Sequence, residues 1–215
     1  MNVILDNLDT FASGIKTTLF LSIFSFIGAL GVGAAVATMR VGPMKLLRAI
    51  GTVYVEGFFS VPLLVWALLF FFGFPKLGLT FSRFNSAIFV LSTWTAALVA
   101  EAIRSGINTV HPGQAEAARA IGLRFHQVIG EVVLPQAIRT MVGPLGSIFL
   151  ALVRNTAAVG LAMAVDDIMF RADRLNTETA RPVAVFLGAM VAYLIITVPS
   201  TVIVNRLRAH FAVRR

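Results

Sequence analysis

Five long stretches of this chain carry almost no charge, and their lengths match the thickness of a lipid bilayer. Thr17 to Met39 is a run of 23 uncharged residues. At 1.5 Å rise per residue it would extend ~34 Å as a helix, enough to cross a hydrocarbon core of ~30 Å. Gly57 to Pro75 (19 residues), Phe84 to Ala100 (17) and Pro182 to Asn205 (24) are likewise uncharged, and Thr140 to Val165 is interrupted by Arg154 alone. Backbone amides in hydrocarbon must be satisfied within their own segment, so such runs form helices. The expectation is an all-α polytopic membrane protein, about five transmembrane helices in one domain spanning residues 1–215.

Composition agrees, with 58% hydrophobic and 13% charged residues and a mean hydropathy of +0.87. The chain has no cysteine and three histidines, His111, His126 and His210, without metal-ligand spacing, so no metal site is expected. A net charge of +8 on so apolar a chain fits loops facing anionic lipid, not nucleic acid. The N-terminal MNVILDNLDTF lacks the positive region of a cleavable signal peptide, so the first span is expected to persist.

Placement of the cations sets the orientation. Arg40, Lys45 and Arg48 surround a Gly42-Pro43 turn after the first span, with no acid among them. By the positive-inside bias this loop faces the cytoplasm, leaving the N-terminus outside and the C-terminus inside. Eleven of the 18 Lys and Arg then fall on inner segments, including Arg206, Arg208, Arg214 and Arg215, and six on outer ones, Arg154 lying within a span. Residues 166–181 become an extracytoplasmic mixed-charge loop. Residues 101–139 become a large cytoplasmic loop.

That loop holds a polar island, GQAEAARAIGLRFHQVIGEVVLPQA, from Gly113 to Ala137. Pro112 suits a first helical position, Ala115, Ala118 and Ile121 recur on one face, and Gly122 can leave the helix through positive φ. The spacing predicts a short surface helix, a turn at Gly122, and a second short helix ended by Pro135. Glu116 and Arg119 stand one turn apart and could pair on a solvated face.

In the fourth span, Arg154 lies ten residues beyond Pro144, or ~15 Å along the helix, near a bilayer midplane. A cation at that depth either grips an anionic group or braces neighbouring helices, Glu56 being one available partner. Asn155 and Thr156 would add hydrogen bonds to a carboxylate held bidentately by Arg154. Phe70, Phe71, Phe72 and Phe74 are read as packing or lipid-facing aromatics. Glu101, expected to end the third span, is awkward for the helix dipole and pairs most simply with Arg104.

The order Glu116-Ala117-Ala118, Gly122, then Leu134-Pro135 resembles the EAA loop of ATP-binding-cassette importer permeases. Glu101, Arg104, Gly106, Ile107, Gly113, Gln114, Gln136 and Ala137 are similar to the polar amino acid branch of that family. SGINTV at Ser105 to Val110 looks most like actinobacterial glutamate permeases. Leu91 to Glu101 resembles a family pattern in which Trp94 replaces a tyrosine, while Phe59 stands where the family commonly has arginine. Arg154, Asn155 and Thr156 match a basic-polar-hydroxyl triplet of the branch.

The resemblance implies a non-catalytic permease subunit in the cell membrane. Gly113, Glu116, Ala117, Ala118, Gly122, Leu134 and Pro135 would meet a cytoplasmic ATPase dimer. Arg154, Asn155, Thr156, Trp94 and Glu101 would belong to the substrate pathway. It also implies a second permease subunit, identical or paralogous, an extracytoplasmic solute-binding protein, and an amino acid substrate, with glutamate or a related polar amino acid expected. The chain has no G-x-x-x-x-G-K-[ST] phosphate loop, so no cofactor is expected on it, ATP and magnesium residing on the partner ATPase. The competing reading is an ATP-independent carrier or channel. A lipid-modifying enzyme would need a nucleophile and base, or paired acids, at the interface, and neither is present.

Overall fold

The structure is a computed structural model and describes residues 2–211. Arg214 and Arg215, counted above as inner charges, lie outside the described residues. All regular structure among the described residues is helical.

A short α1 (Asn2–Asp6) leads into α2 (Leu8–Val41), the first span. Its partner is α5 (Arg83–Asn108), started by Ser82, whose side chain accepts from Asn85 N. The two run parallel in tight register. Ser92 Oγ donates to Ser25 O at 3.1 Å. A Cβ at Gly33 would fall 2.6 Å from Val99 Cγ1 and 2.9 Å from Ala96 O. Gly28, where a Cβ would fall 2.6 Å from Ser92 Oγ, and Gly33 therefore permit the close approach of the two helices.

The second span differs from expectation. Instead of one helix over Gly57 to Pro75, α3 (Lys45–Ser60) and α4 (Leu63–Gly73, continued by a 3₁₀ turn to Leu77) meet at an angle of 99°. Pro62 has no N–H to continue the helix and holds Val61 extended, at φ −108° and ψ 122°. Hydropathy does not register such a break. Side chains of α3, α4 and α5 close it: Trp94 Nε1 donates to Val61 O at 3.1 Å, Trp66 Nε1 to Thr93 Oγ1 at 3.1 Å, and Tyr54 Oη to Thr93 O at 2.6 Å. Phe70 is buried and stacks on Phe74 and Phe89, a packing role.

Beyond α5 come α6 (Pro112–Ala120), a single turn α7 (Phe125–Gln127), a π turn over Val128–Val133, and α8 (Leu134–Met163). Two boundaries need correction. Glu101 does not end the third span, because α5 continues two turns to Asn108. Nor does Pro135 end a helix, since it sits in the first turn of α8 and the rod from Phe125 to Met163 is continuous. The π register, with Leu134 N donating to Ile129 O, sets the backbone for a residue that brings no N–H.

The stretch 166–181 is not an irregular loop. It contains α9 (Ile168–Thr179), with Ile168, Ala172 and Leu175 buried on one face. Asp167 caps it, Oδ1 accepting from Phe170 N at 2.9 Å. The last span, α10 (Pro182–Phe211), runs unbroken through Pro199 and packs on α8, where Val204 occupies the space a Cβ at Gly146 would need.

Candidate coupling surface and membrane pathway

The polar island forms a small projection with a solvated outer face. His111 caps α6, its Nδ1 accepting from Gly113 N at 3.1 Å, and Pro112 takes the first turn. Ala118 is buried among Val128, Val133, Ala115, Ile107 and Val110. This ties α6 both to the end of α5 and to the π turn that begins the next rod. Glu116, Ala117 and Arg119 are exposed, and no ion pair joins Glu116 to Arg119 among the described residues. Gly122 adopts φ +88°.

Ile121 is not on the buried face with Ala115 and Ala118. The helix ends at Ala120, so the 3.6-residue period stops there and Ile121 is 80% exposed. Phe125, just beyond the turn, is 77% exposed. Two large apolar side chains thus flank Gly122, beside exposed Glu116, on a projection whose inner side is packed. Leu134 and Pro135, at the start of α8 beyond the π turn, are also exposed.

The projection sits on a braced base. A Cβ at Gly106 would collide with Met141 Cγ, and Thr109 and Thr140 hydroxyls lie 3.2 Å apart, joining α5 to α8. Glu101 accepts from Arg40 Nη1 at 2.6 Å and from Arg104 Nε at 3.1 Å. The Arg104 pairing follows from spacing. Arg40, which comes from α2 and threads past Gly51 of α3, could not be read from local sequence.

Within the spans, Arg154 is exposed on α8, Asn155 half-buried and Thr156 fully buried. Thr156 Oγ1 donates to Val153 O at 2.8 Å, so the triplet is split: Thr156 lies two residues on, roughly 200° round the helix from Arg154. Among the described residues no ion pair joins Arg154 to Glu56, which is itself exposed. Trp94 is half-buried and engaged at the α3–α4 break, and Phe59, 50% exposed, lies at the end of α3 beside it.

Asp167, one of two adjacent acids that carry no catalytic pattern in the sequence, takes a structural role in the fold. Asp167 is fully buried, its Oδ2 accepting from Tyr193 Oη at 3.2 Å. Burial pushes its carboxyl up to about 6, against the hydrogen bonds from Phe170 N and Tyr193 that favour the charged form. Its signal was an acid directly before apolar positions at 168, 172 and 175.

A family model described as a binding-protein-dependent transport system inner membrane component matches residues 16–215. The chain is 37% identical over 207 residues to the probable glutamine ABC transporter permease protein GlnM of Bacillus subtilis, covering 96% of this chain and 95% of that one. It is 34% identical over 210 residues to the glutamate transport system permease protein GluC of Corynebacterium glutamicum, covering 92% of each. A crystal structure of an amino acid ABC transporter with histidines superposes with TM-score 0.90 at 27% identity, covering 96% of both chains. The inward-facing MetNI methionine ABC transporter shares the fold, with TM-score 0.77 at 21% identity, covering 97% of this chain and 99% of that one. With matching spans, matching fold and a family model covering nearly its whole length, the chain belongs to the family of binding-protein-dependent transport system inner membrane components.

Proposed function

We propose that this chain is the membrane-spanning permease subunit of an ATP-binding-cassette importer for amino acids, glutamine or glutamate being the first substrates to test. The observation that carries the reading is 37% and 34% identity, over nearly the whole chain, to permeases named for glutamine and glutamate, together with a projection of α6 and the turn after it that carries exposed Glu116, Ile121 and Phe125. The chain performs no bond chemistry. An ATPase dimer, in this reading, receives α6 and the Gly122 turn in a groove, as amphipathic helices commonly dock. Closure of that dimer moves α6, and the packed contacts Ala118–Val128 and Gly106–Met141 pass the displacement to α5 and α8. The bundle then switches between outward- and inward-facing arrangements.

A second permease subunit completes the pathway, and an extracytoplasmic solute-binding protein delivers substrate to the end carrying α9. Arg154 receives the substrate carboxylate with Asn155 beside it. Thr156, turned into its own helix, orients the turn and does not reach the substrate. The coupling set remains Gly113, Glu116, Ala117, Ala118, Gly122, Leu134 and Pro135, with Gly113, Ala118 and Gly122 shaping the projection and Glu116 at its surface.

The test is uptake of labelled glutamine and glutamate into proteoliposomes holding this chain with the ATPase and binding protein encoded beside it. ATP-dependent accumulation of one of them, competed by the other or by aspartate, supports the reading. Accumulation without ATP contradicts it.

A further inference from the structure

We propose that the groove between α8, α10 and Phe26 of α2 is a binding site for an anionic phospholipid. It has a volume of about 390 Å³. Phe26, Leu145, Phe149, Ile203 and Leu207 line it, and Ser200 is its only polar contributor. Such a lining accepts an acyl chain and offers almost nothing to a polar solute.

Helix geometry turns this groove away from the pathway. Leu145 precedes Arg154 by nine residues on α8, which at 3.6 residues per turn places them about 180° apart. If Arg154 faces substrate, as the proposed function has it, Leu145 and its neighbours face the bilayer.

Charge at one end selects the occupant. Arg208 of α10 reaches across to α8, its Nη2 donating to Gly143 O at 2.9 Å and to Ser147 Oγ. Residues 139, 143 and 147 form one stripe on α8 at four-residue spacing, so Arg139 stands one turn beyond the anchored guanidinium. Both arginines are exposed, and neither has a carboxylate within ion-pair distance among the described residues. An apolar groove capped by two unneutralised arginines matches a phosphodiester headgroup above its own acyl chain, and basic clefts between spanning helices recognise anionic lipid in this way. On the charge-based orientation this end faces the inner leaflet, where anionic lipid is concentrated.

The full-length chain, expressed with its copurifying subunits and extracted in mild detergent, is incubated with equal amounts of phosphatidylglycerol and phosphatidylcholine, and retained lipid is counted by native mass spectrometry. One phosphatidylglycerol per copy is expected, favoured about tenfold over phosphatidylcholine. Arg139→Gln, at a residue that bonds nothing in the fold, should reduce that preference several-fold, and Arg139→Gln with Arg208→Gln should abolish it. Equal retention of the two lipids, or a preference untouched by Arg139→Gln, overturns the proposal. So does disulfide capture of a second copy through Leu207→Cys, which would make the face a subunit contact. Because lipid retention is read without transport, failure here is separable from failure of the importer reading.

Discussion

Glu101 of α5 and Arg40 of α2 lie 61 positions apart in sequence yet share a 2.6 Å hydrogen bond. Glu101 also holds Arg104 on its own helix. The pair fastens two parallel helices at the end where α6 projects, and Arg40 reaches it across the space that Gly51 leaves open. Partial exposure, 13% for Arg40 and 33% for Glu101, keeps the pair's worth modest. A double-mutant cycle on Arg40→Gln and Glu101→Gln should give a coupling energy of about 1 kcal/mol. Each single variant should lower the thermal midpoint by about 2–4 °C in a chain of this size, read by intrinsic fluorescence in detergent.

Gly33 and Gly31 make a matched pair on α2. A methyl at Gly33 meets Val99 and the Ala96 carbonyl, while nothing lies within 4 Å of one at Gly31. Gly33→Ala should destabilise by about 1–3 kcal/mol through overpacking. Gly31→Ala should be neutral or slightly stabilising. Thermal melts of the two variants side by side check this, and equal midpoints would contradict the packing described for α2 and α5.

Most of the membrane architecture was legible because charge-free length is a one-dimensional signal. What escaped it depends on backbone geometry or distant partners. The break at Pro62 falls inside an uncharged run, and Pro135, read as a stop, is absorbed by a π turn. The helix α9 was readable from the acid at 167 and apolar residues at 168, 172 and 175, but its charges gave it the look of a loop. Pro112, the turn at Gly122 and the Glu101–Arg104 pair followed from local rules. Ile121 was misassigned because the period was extended one residue past the helix end, and Arg40 had no local cue at all.

Asp167 makes stability depend on pH. Its folded value of about 6 exceeds the ordinary value near 4, so the native state binds the proton more tightly than the unfolded chain does. Stability should therefore fall as pH rises from about 4 to about 6, by an amount on the order of 2–3 kcal/mol, and level off above that. Asp167→Asn keeps an acceptor for Phe170 N and removes the titration. Melting midpoints across this range should slope downward for the parent chain relative to the variant, and parallel curves would contradict the account of the buried carboxyl.

In the proposed function, α6 and the turn at Gly122 couple the spans to an ATPase. Glu116 and Ile121 are exposed, so Glu116→Lys and Ile121→Asp should change folding stability by no more than about 0.5 kcal/mol. The measurement is ATP-driven uptake of labelled glutamine and glutamate by the reconstituted complex, with thermal midpoints of the same preparations as the control. Both variants should keep the parent midpoint and lose at least about tenfold in uptake, as expected when a charge is reversed or buried unpaired at a docking surface. Undiminished uptake in both variants, or accumulation that persists without ATP, would contradict it and favour an ATP-independent carrier.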